Sequence, residues 1–450
     1  MITVMPGLPH PFQVIGTDAG GLASLPPAAV RLLCNAEAIA APQRLLDSLP
    51  QWWSDQQHGD RPLPQLQASD RPDALIGWLR SQNAPVVILA SGDPLWFGIG
   101  RRLLQAFPAE TLHFHPAPCS MQLAFARIGR PWQDATWVSL HGRSPEALAS
   151  ALQNRPAALA VLTDPGQGGA APVRQILRSS GLEASYAVWV CENLGHRDER
   201  VMRLASNAPL PPDLQPLLLV LLIAEDPPLP ERLPLFGLED GVFLQHSDRP
   251  GLMTKREVRL QLLADLELPA DGVLWDLGAG TGSVGLEALR LRPRLQLLAI
   301  ERRGGGAALI EANAERLGVQ PAAVLETDAL TALSTDLPPS LACPDRVLLG
   351  GGGRDRVALL QMLLPRLNDG GIVVIPLATL EALSDLRPVL DKAGLISRIS
   401  QLQAWRGLPL GDGTRLAPMN PTLILKGTKS HQQIHDIVTL SSQSSPDRRA

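Results

Sequence analysis

Only four cysteines occur in 450 residues, Cys34, Cys119, Cys191 and Cys343, and none lies at a short spacing from another. That scatter excludes a Cys-rich zinc module and a disulfide framework. Positive charge is not in excess: 40 Lys and Arg against 44 Asp and Glu leave a net charge of -4. No global basic field is offered to nucleic acid. Long apolar runs are missing too. The longest, Leu217 to Ala224, is far too short to span a bilayer. No basic stretch precedes the first apolar segment, so no signal peptide is expected and a cytoplasmic enzyme is the default. H-E-x-x-H, a nucleophile elbow and a Walker loop are all absent, as is any repeat with a period of about 20–50 residues.

An apolar fraction of 45% and a charged fraction of 19% describe an ordinary globular chain, and the length predicts two or three domains. Strand-length apolar runs alternate with helical patterns in both halves, which predicts α/β architecture with mainly parallel sheets. The segment Glu225-Asp226-Pro227-Pro228-Leu229-Pro230-Glu231-Arg232-Leu233-Pro234 holds four prolines in ten residues and cannot continue a helix or a central strand. The expected division is 1–224, a linker at 225–235, a domain at 236–428 and a polar tail at 429–450. Strands are expected in the first half at Phe12–Ile15, Val86–Leu89, Trp137–Leu140, Leu159–Leu162, Ala187–Val190 and Leu217–Ile223, in two small α/β lobes. The second half predicts Val273–Leu277, Leu295–Glu301, Ala323–Thr327, Arg346–Leu349, Gly371–Pro376 and Thr422–Lys426. Helices are expected at Ala307–Leu317, Arg356–Leu367 and Leu380–Ala393, the last with a kink or break at Pro388.

The turn Asp276-Leu277-Gly278-Ala279-Gly280-Thr281-Gly282-Ser283 follows an apolar run, and Glu301 closes the next one. A strand, a glycine turn opening a helix and an acid about 20 residues on form a Rossmann-like nucleoside pocket. The glycines admit the ligand to the backbone, and the carboxylate accepts the ribose hydroxyls. Two donors fit. Gly280, Gly282 and Gly285 spell the dinucleotide fingerprint of an NAD(P)-dependent reductase, whereas a methyl-donor reading also uses Asp276, to brace the loop, and Gly278. Asp328 and Ala329 end the third strand, where the adenine edge would lie; a plain Asx turn is the bland reading. Gly350–Gly353 is either a flexible link or room for a flat substrate. Thr254 resembles an N-cap with Glu257 in capping-box spacing, followed by Lys255, Arg256 and Arg259 as a solvated face or a clamp for substrate carboxylates. In the first half, Ser91-Gly92-Asp93-Pro94 reads as a generic strand-to-helix loop. His141 and Arg143 could face a polyanion.

These residues carry a resemblance. The first half resembles the tetrapyrrole methylases of cobalamin biosynthesis, in particular those that methylate carbon 5. The similarity lies in Ser91-Gly92-Asp93-Pro94-Leu95-Trp96-Phe97-Gly98-Ile99-Gly100, Pro131-Trp132-Gln133-Asp134, Ser139-Leu140-His141-Gly142-Arg143, Leu162-Thr163-Asp164 and Glu192-Asn193-Leu194-Gly195. The second half is similar to the carbon-15 methylating, decarboxylating methyltransferases through Leu252-Met253-Thr254-Lys255-Arg256-Glu257, the Asp276–Gly282 turn, Ile300-Glu301-Arg302 and Thr327-Asp328-Ala329. The resemblance implies a two-lobed methylase followed by a Rossmann-like methyltransferase, with two S-adenosylmethionine sites. It implies methylation of a precorrin, with or without cobalt, at carbons 5 and 15, loss of the ring-C acetate carboxyl, and a homo-oligomer. The first donor site would take Gly92, Asp93, Ser120, Met121 and Thr163. The second would take Thr254, Gly278, Ala279, Gly280, Thr281, Gly282, Glu301, Asp328 and Ala329. No metal is implied. The loop Gly16-Thr17-Asp18-Ala19-Gly20 departs from the family's Gly-x-Gly-Pro-Gly form, so no ligand role is expected of it, and Pro376 stands where relatives often have asparagine. A third reading makes the second half a non-catalytic module that regulates the first.

Overall fold

The computed structural model describes residues 10–430 apart from 57–61, 142–143, 206–207, 227, 247, 250, 352 and 411–412. Two compact units result. The first ends at Glu225, and the second begins at Asp226 and also takes in Leu177–Ser185.

The first unit opens with a five-stranded sheet of β1 (Phe12–Thr17), β2 (Ala38–Ala41), β3 (Gln65–Ala68), β4 (Val86–Ser91) and β5 (Leu112–His115). Its order is β3-β2-β4-β1-β5 and every pairing is parallel. Alternate residues along the central strands feed two cores: Ile15, Ile39 and Val87 on one face, Val14, Ala38 and Ile88 on the other. Apolar residues with no polar alternation are what a sheet covered on both faces requires. The second sheet contains β6 (Ala135–Ser139), β7 (Ala158–Leu162), β8 (Tyr186–Glu192), β9 (Arg200–Leu204) and β10 (Leu218–Ala224), in the order β6-β7-β10-β8-β9. Only β6 and β7 run parallel; β10 lies antiparallel between β7 and β8, and β8 pairs antiparallel with β9. The expectation of mainly parallel sheets fails here, because the last apolar run returns into the middle of the sheet instead of extending its edge.

The second unit is built on β11 (Asp271–Leu277), β12 (Arg294–Glu301), β13 (Ala323–Glu326), β14 (Arg346–Leu349), β15 (Ile372–Leu377), β16 (Ile396–Leu402), a separate hairpin of β17 (Trp405–Leu410) and β18 (Gly413–Pro418), and β19 (Thr422–Thr428). The sheet order is β13-β12-β11-β14-β15-β19-β16, with β19 antiparallel to both neighbours. Val273, Trp275 and Leu277 enter one core and Leu274 the other. The Trp275 indole N–H donates to the Leu341 carbonyl at 2.8 Å, so even this fully buried ring leaves no polar atom unpaired.

Two local expectations gain detail, and no break occurs at Pro388. The helix Leu380–Lys392 runs unbroken through Pro388. Buried Leu386 and Leu390 anchor it on both sides, so the missing amide costs a hydrogen bond and not the helix. The 225–235 segment is not a bare spacer either: Pro230–Arg232 forms a 3-10 turn, and Arg290 donates to the carbonyls of Pro230, Leu233 and Pro234. No helix among the described residues is long and apolar enough to cross a membrane.

Candidate functional sites

In the second unit the strand order reverses between β11 and β14, which opens a crevice at their carboxyl ends. The glycine turn leaves β11 there. Gly278, Gly280 and Gly282 have φ of 77, 59 and 74°, the left-handed region where glycine is at no disadvantage. At Gly278 space matters as much as conformation: a Cβ would overlap the Gly351 backbone. The Gly350–Gly351 backbone in turn donates both amides to the Leu277 carbonyl, at 2.9 and 3.0 Å. Gly350 and Gly351 are therefore packed against the turn and are no slack link.

Two carboxylates hold the turn. Asp276 is 2% exposed and its Oδ2 accepts the Gly285 amide at 3.2 Å. Burial pushes its carboxyl up to about 7; the Gly285 hydrogen bond opposes the shift and the charge of Glu301 adds to it. Glu301, at the end of β12, accepts the Gly280 amide at 2.7 Å through Oε2 and the Arg303 amide at 2.9 Å through Oε1. A cavity of about 160 Å³ lies beside them, lined by Gly278, Glu301, Asp328, Ala329, Gly351 and Arg356 among others. Asp328 spends Oδ1 on the Leu330 amide, 2.9 Å, as the N-cap of the helix Ala329–Ser334. Arg356 donates to the Gly351 carbonyl at 2.8 Å, and burial lowers its pKa. Ala279, Gly280, Thr281 and Gly282 belong to the turn without lining the cavity. The Thr281 hydroxyl is buried with no hydrogen-bond partner among the described residues, an open valence on the loop expected to receive the donor.

The segment ahead of the sheet differs from expectation. The helix starts at Arg256 with Lys255 as N-cap, and no side chain of its own caps it. Asp240 does so from a distance, its Oδ1 accepting the Arg256 amide at 2.9 Å. Thr254 is not the cap; its carbonyl accepts from Arg259 at 2.6 Å, and it does not line the cavity. Arg259 is fully buried, ion-paired to Asp240 at 2.9 Å and Glu287 at 3.0 Å, and lies 4.7 Å from the Phe243 ring centroid. Arg406, on β17, adds a second cation at Asp240 and Glu257, 3.1 and 2.7 Å away. Against the burial that would raise it, Arg259 and Arg406 hold the Asp240 carboxyl below its usual range. A guanidinium so fully spent is neither a solvated face nor free for a substrate, which removes Arg259 from the clamp. Arg256 donates Nε to the Gly237 carbonyl at 2.7 Å, and Lys255 reaches the Gly251 carbonyl at 3.1 Å.

The first unit carries the larger cleft, about 700 Å³, within the roughly 300–1,000 Å³ usual for small-molecule sites. It too lies at a reversal of strand order, between β1 and β4. Gly92, with φ of 71°, donates its amide to the Thr17 carbonyl, and a Cβ on Gly16 would come within 2.5 Å of the Gly92 carbonyl oxygen. Asp93 closes an Asx turn on the Leu95 amide at 2.8 Å. Phe97, half exposed, sits at a φ of 51°, strained for a residue with a side chain. Gly92, Asp93, Ser120, Thr163 and His141 line the cleft. Met121 does not: it is 2% exposed and packs in the core beneath. The Thr163 hydroxyl donates to the Leu218 carbonyl at 2.8 Å. His141 is a rim residue, its Nδ1 3.8 Å from Asp164 Oδ1; Arg143 lies outside the described residues. The loop judged inert also lines the cleft, with Thr17, Asp18 and Ala19. Departure from a motif hid it, although the loop follows a first strand as the glycine turn follows β11. Trp96, within the quoted Ser91–Gly100 motif, lines the same space, as do Arg44 and Trp137, which nothing in their local sequence announced. Cys191 contributes a thiol pushed up to about 12 by burial, so it is no nucleophile.

Comparison with known proteins follows this division. Residues 11–207 match the family described as tetrapyrrole (corrin/porphyrin) methylases, and residues 245–429 match the precorrin methyltransferase domain. A Sinorhizobium protein named precorrin-6Y C(5,15)-methyltransferase [decarboxylating] is 31% identical over 94% of this chain and 98% of its own. A Mycobacterium tuberculosis protein of the same name is 28% identical over 92% of this chain and 99% of its own. From Pyrobaculum aerophilum, a probable cobalt-precorrin-6B C(15)-methyltransferase (decarboxylating) is 35% identical over 42% of this chain and 94% of its own.

Proposed function

The chain belongs to the decarboxylating precorrin-6Y C(5,15)-methyltransferase family, and we propose that its two units divide that reaction, each with its own S-adenosylmethionine site. Its activity is S-adenosylmethionine-dependent methylation and decarboxylation of a precorrin in cobalamin biosynthesis. In our reading the first unit methylates carbon 5. The second methylates carbon 15 and releases the ring-C acetate carboxyl as carbon dioxide. One observation carries the division: each unit has a cleft at its own strand-order reversal, lined by a positive-φ glycine, Gly92 in the first and Gly278 in the second, where two backbone segments approach closely, Gly16 against Gly92 and Gly278 against Gly351. The relatives lend no support to a nicotinamide reductase built on Gly280, Gly282 and Gly285. Self-association and a cytoplasmic setting belong to the same reading.

Bound S-adenosylmethionine supplies an electrophilic methyl group on a sulfonium sulfur. The chain's own residues bind, orient and exclude water. In the second unit Glu301 would exchange its amide partners for ribose hydroxyls, the Gly278–Gly282 backbone would carry the aminoacyl end, and the Thr281 hydroxyl would gain the partner it lacks. Gly92, Asp93, Ser120 and Thr163 would serve the first unit. The acceptor is an electron-rich ring carbon, so alignment is the main contribution, up to about 7–11 kcal/mol in favourable intramolecular cases. When the acetate loses carbon dioxide, the C–C bonding pair passes into the conjugated macrocycle, and no side chain needs to accept it. Lys255 and Arg256 remain the proposed cations for substrate carboxylates near the second unit's site.

Mass spectrometry of the product tests the activity, with two added methyl groups and one lost carboxyl expected. Calorimetry tests the division: two donor sites per chain, reduced to one by Glu301→Ala. Saturation at a single donor, or retention of both sites in that variant, contradicts it.

A further inference from the structure

We infer that Arg44, Arg101 and Arg102 form the carboxylate-binding rim of the first unit's cleft, with Trp96, Phe97 and Trp137 as the aromatic wall on which the macrocycle lies. The inference rests on the functional reading above and adds to it where the acceptor sits in this unit.

All six residues line the 700 Å³ cleft. Arg101 and Arg102 are exposed and have no ion-pair partner among the described residues. Other arginines of this unit are committed: Arg127 to Glu199, Arg130 to Asp134, and Arg200 to Glu192 and Asp213. Arg44 is partly buried and donates to the Ser91 hydroxyl at 2.8 Å, its one hydrogen bond among the described residues, and its pKa is lowered by that burial although Asp18 opposes the shift. A cation kept so gains from an arriving carboxylate. Of the acids on the same wall, Asp18 acts on Arg44 through its charge but, among the described residues, neither Asp18 nor Asp93 forms an ion pair with it. Asp18 accepts the Gly20 amide at 2.9 Å and Asp93 the Leu95 amide at 2.8 Å.

The aromatic side is equally unusual. Trp96 and Trp137 stack edge to face with centroids 4.7 Å apart, and Phe97 meets Trp96 at 5.2 Å. Phe97 and Trp137 nevertheless remain 45% and 43% exposed, large apolar surfaces left in the mouth of a cleft. The Trp96 indole N–H is buried with no partner among the described residues, a donor with nothing yet to donate to. A flat ring system that carries several carboxylates satisfies all three features together.

The test uses the full-length chain with S-adenosylmethionine and its precorrin substrate, following each methyl addition separately by mass spectrometry. Arg101→Ala/Arg102→Ala should raise KM for the carbon-5 methylation roughly three- to tenfold, as two exposed charge contacts would. The effect should shrink as salt is added. Donor binding by calorimetry should stay at two sites, and methylation at carbon 15 with carbon dioxide release should be unchanged on carbon-5-methylated substrate. Arg101→Lys/Arg102→Lys should recover most of the loss. An unaltered carbon-5 KM, or loss of a donor site in the double variant, overturns the inference. Failure of the functional reading looks different: the unsubstituted chain would then bind one donor or add one methyl.

Discussion

The two units solve one problem with opposite economies. In the second, carboxylates at two strand ends hold the turn and the helix it opens: Asp276 of β11 accepts the Gly285 amide and Glu301 of β12 the Gly280 amide, while Arg259 joins Asp240 to Glu287. Its cavity is small, about 160 Å³. In the first unit the loops brace themselves through Asp18 and Asp93, and about 700 Å³ is left open with cations and aromatic rings around it. A turn that is held from outside can be specified by glycine and acid spacing. A cleft between self-braced loops is specified by whatever side chains line it, and these come from distant parts of the chain.

The comparison can be broken most severely at Arg259. Arg259→Met leaves Glu287 buried without its cation and Asp240 with Arg406 alone, and breaking a buried pair typically costs about 3–5 kcal/mol. Thermal unfolding should show the second unit melting well below its transition in the unsubstituted chain; an unchanged profile would mean that the network contributes nothing. The next largest effect comes from a matched pair. Gly278→Ala combines a φ of 77° with an overlap on the Gly351 backbone, and Gly16→Ala meets the Gly92 carbonyl at 2.5 Å. Each should remove one donor site in calorimetry and spare the other. Loss of both sites from either substitution would show that the units are not independent.

A smaller effect distinguishes the units by pH. The Asp276 carboxyl is raised to about 7 in the folded chain, so the native state binds a proton that the unfolded state has released above about pH 4. Its contribution is therefore complete below the unfolded value and is lost as pH rises from there through 7. Between about pH 5 and 8 the second unit should lose on the order of 2–3 kcal/mol from this group, since each tenfold change in proton activity is worth about 1.4 kcal/mol while the two states differ by one proton. Asp276→Asn should flatten that slope in denaturant titrations; an equal slope in both proteins would remove Asp276 from the account. Smallest of all, Arg256→Ala should raise the precorrin KM roughly two- to fivefold, the scale of an exposed charge contact, with donor affinity constant. Unaltered kinetics would leave Arg256 with a structural role alone.

What could be read from residue order follows the same divide. Rossmann-like geometry in the second half was legible because a switch-point turn needs glycine at left-handed φ and a carboxylate at the next strand end. Gly278, Gly280, Gly282 and Glu301 satisfy both. The fate of Arg259 was not legible, since its partners stand 19 and 28 positions away on other elements. Short or exposed strands escaped as well. β2 is only four residues, all alanine but Ile39, and β16 is exposed along most of its length, so neither shows a long run of bulky apolar residues. The mixed second sheet went unseen because direction is set by where a strand returns, which composition does not record. In the first unit, Gly92 and Asp93 were found only through resemblance. Thr17, Arg44 and Trp137 converge on the cleft through folding alone.

Residues 177–185, grouped with the second unit, give it a beginning inside the first one's sequence. Ser179 offers its carbonyl to Arg406 at 3.0 Å across 227 positions, and the Gly181 carbonyl takes the Gly241 amide at 2.8 Å. During synthesis this piece emerges long before the hairpin that will hold it, and the loop it must close is among the longest in the molecule, a slow kind of contact to make. The second unit is thus closed across the length of its own synthesis: its earliest piece waits for Arg406, on a hairpin made 227 positions later.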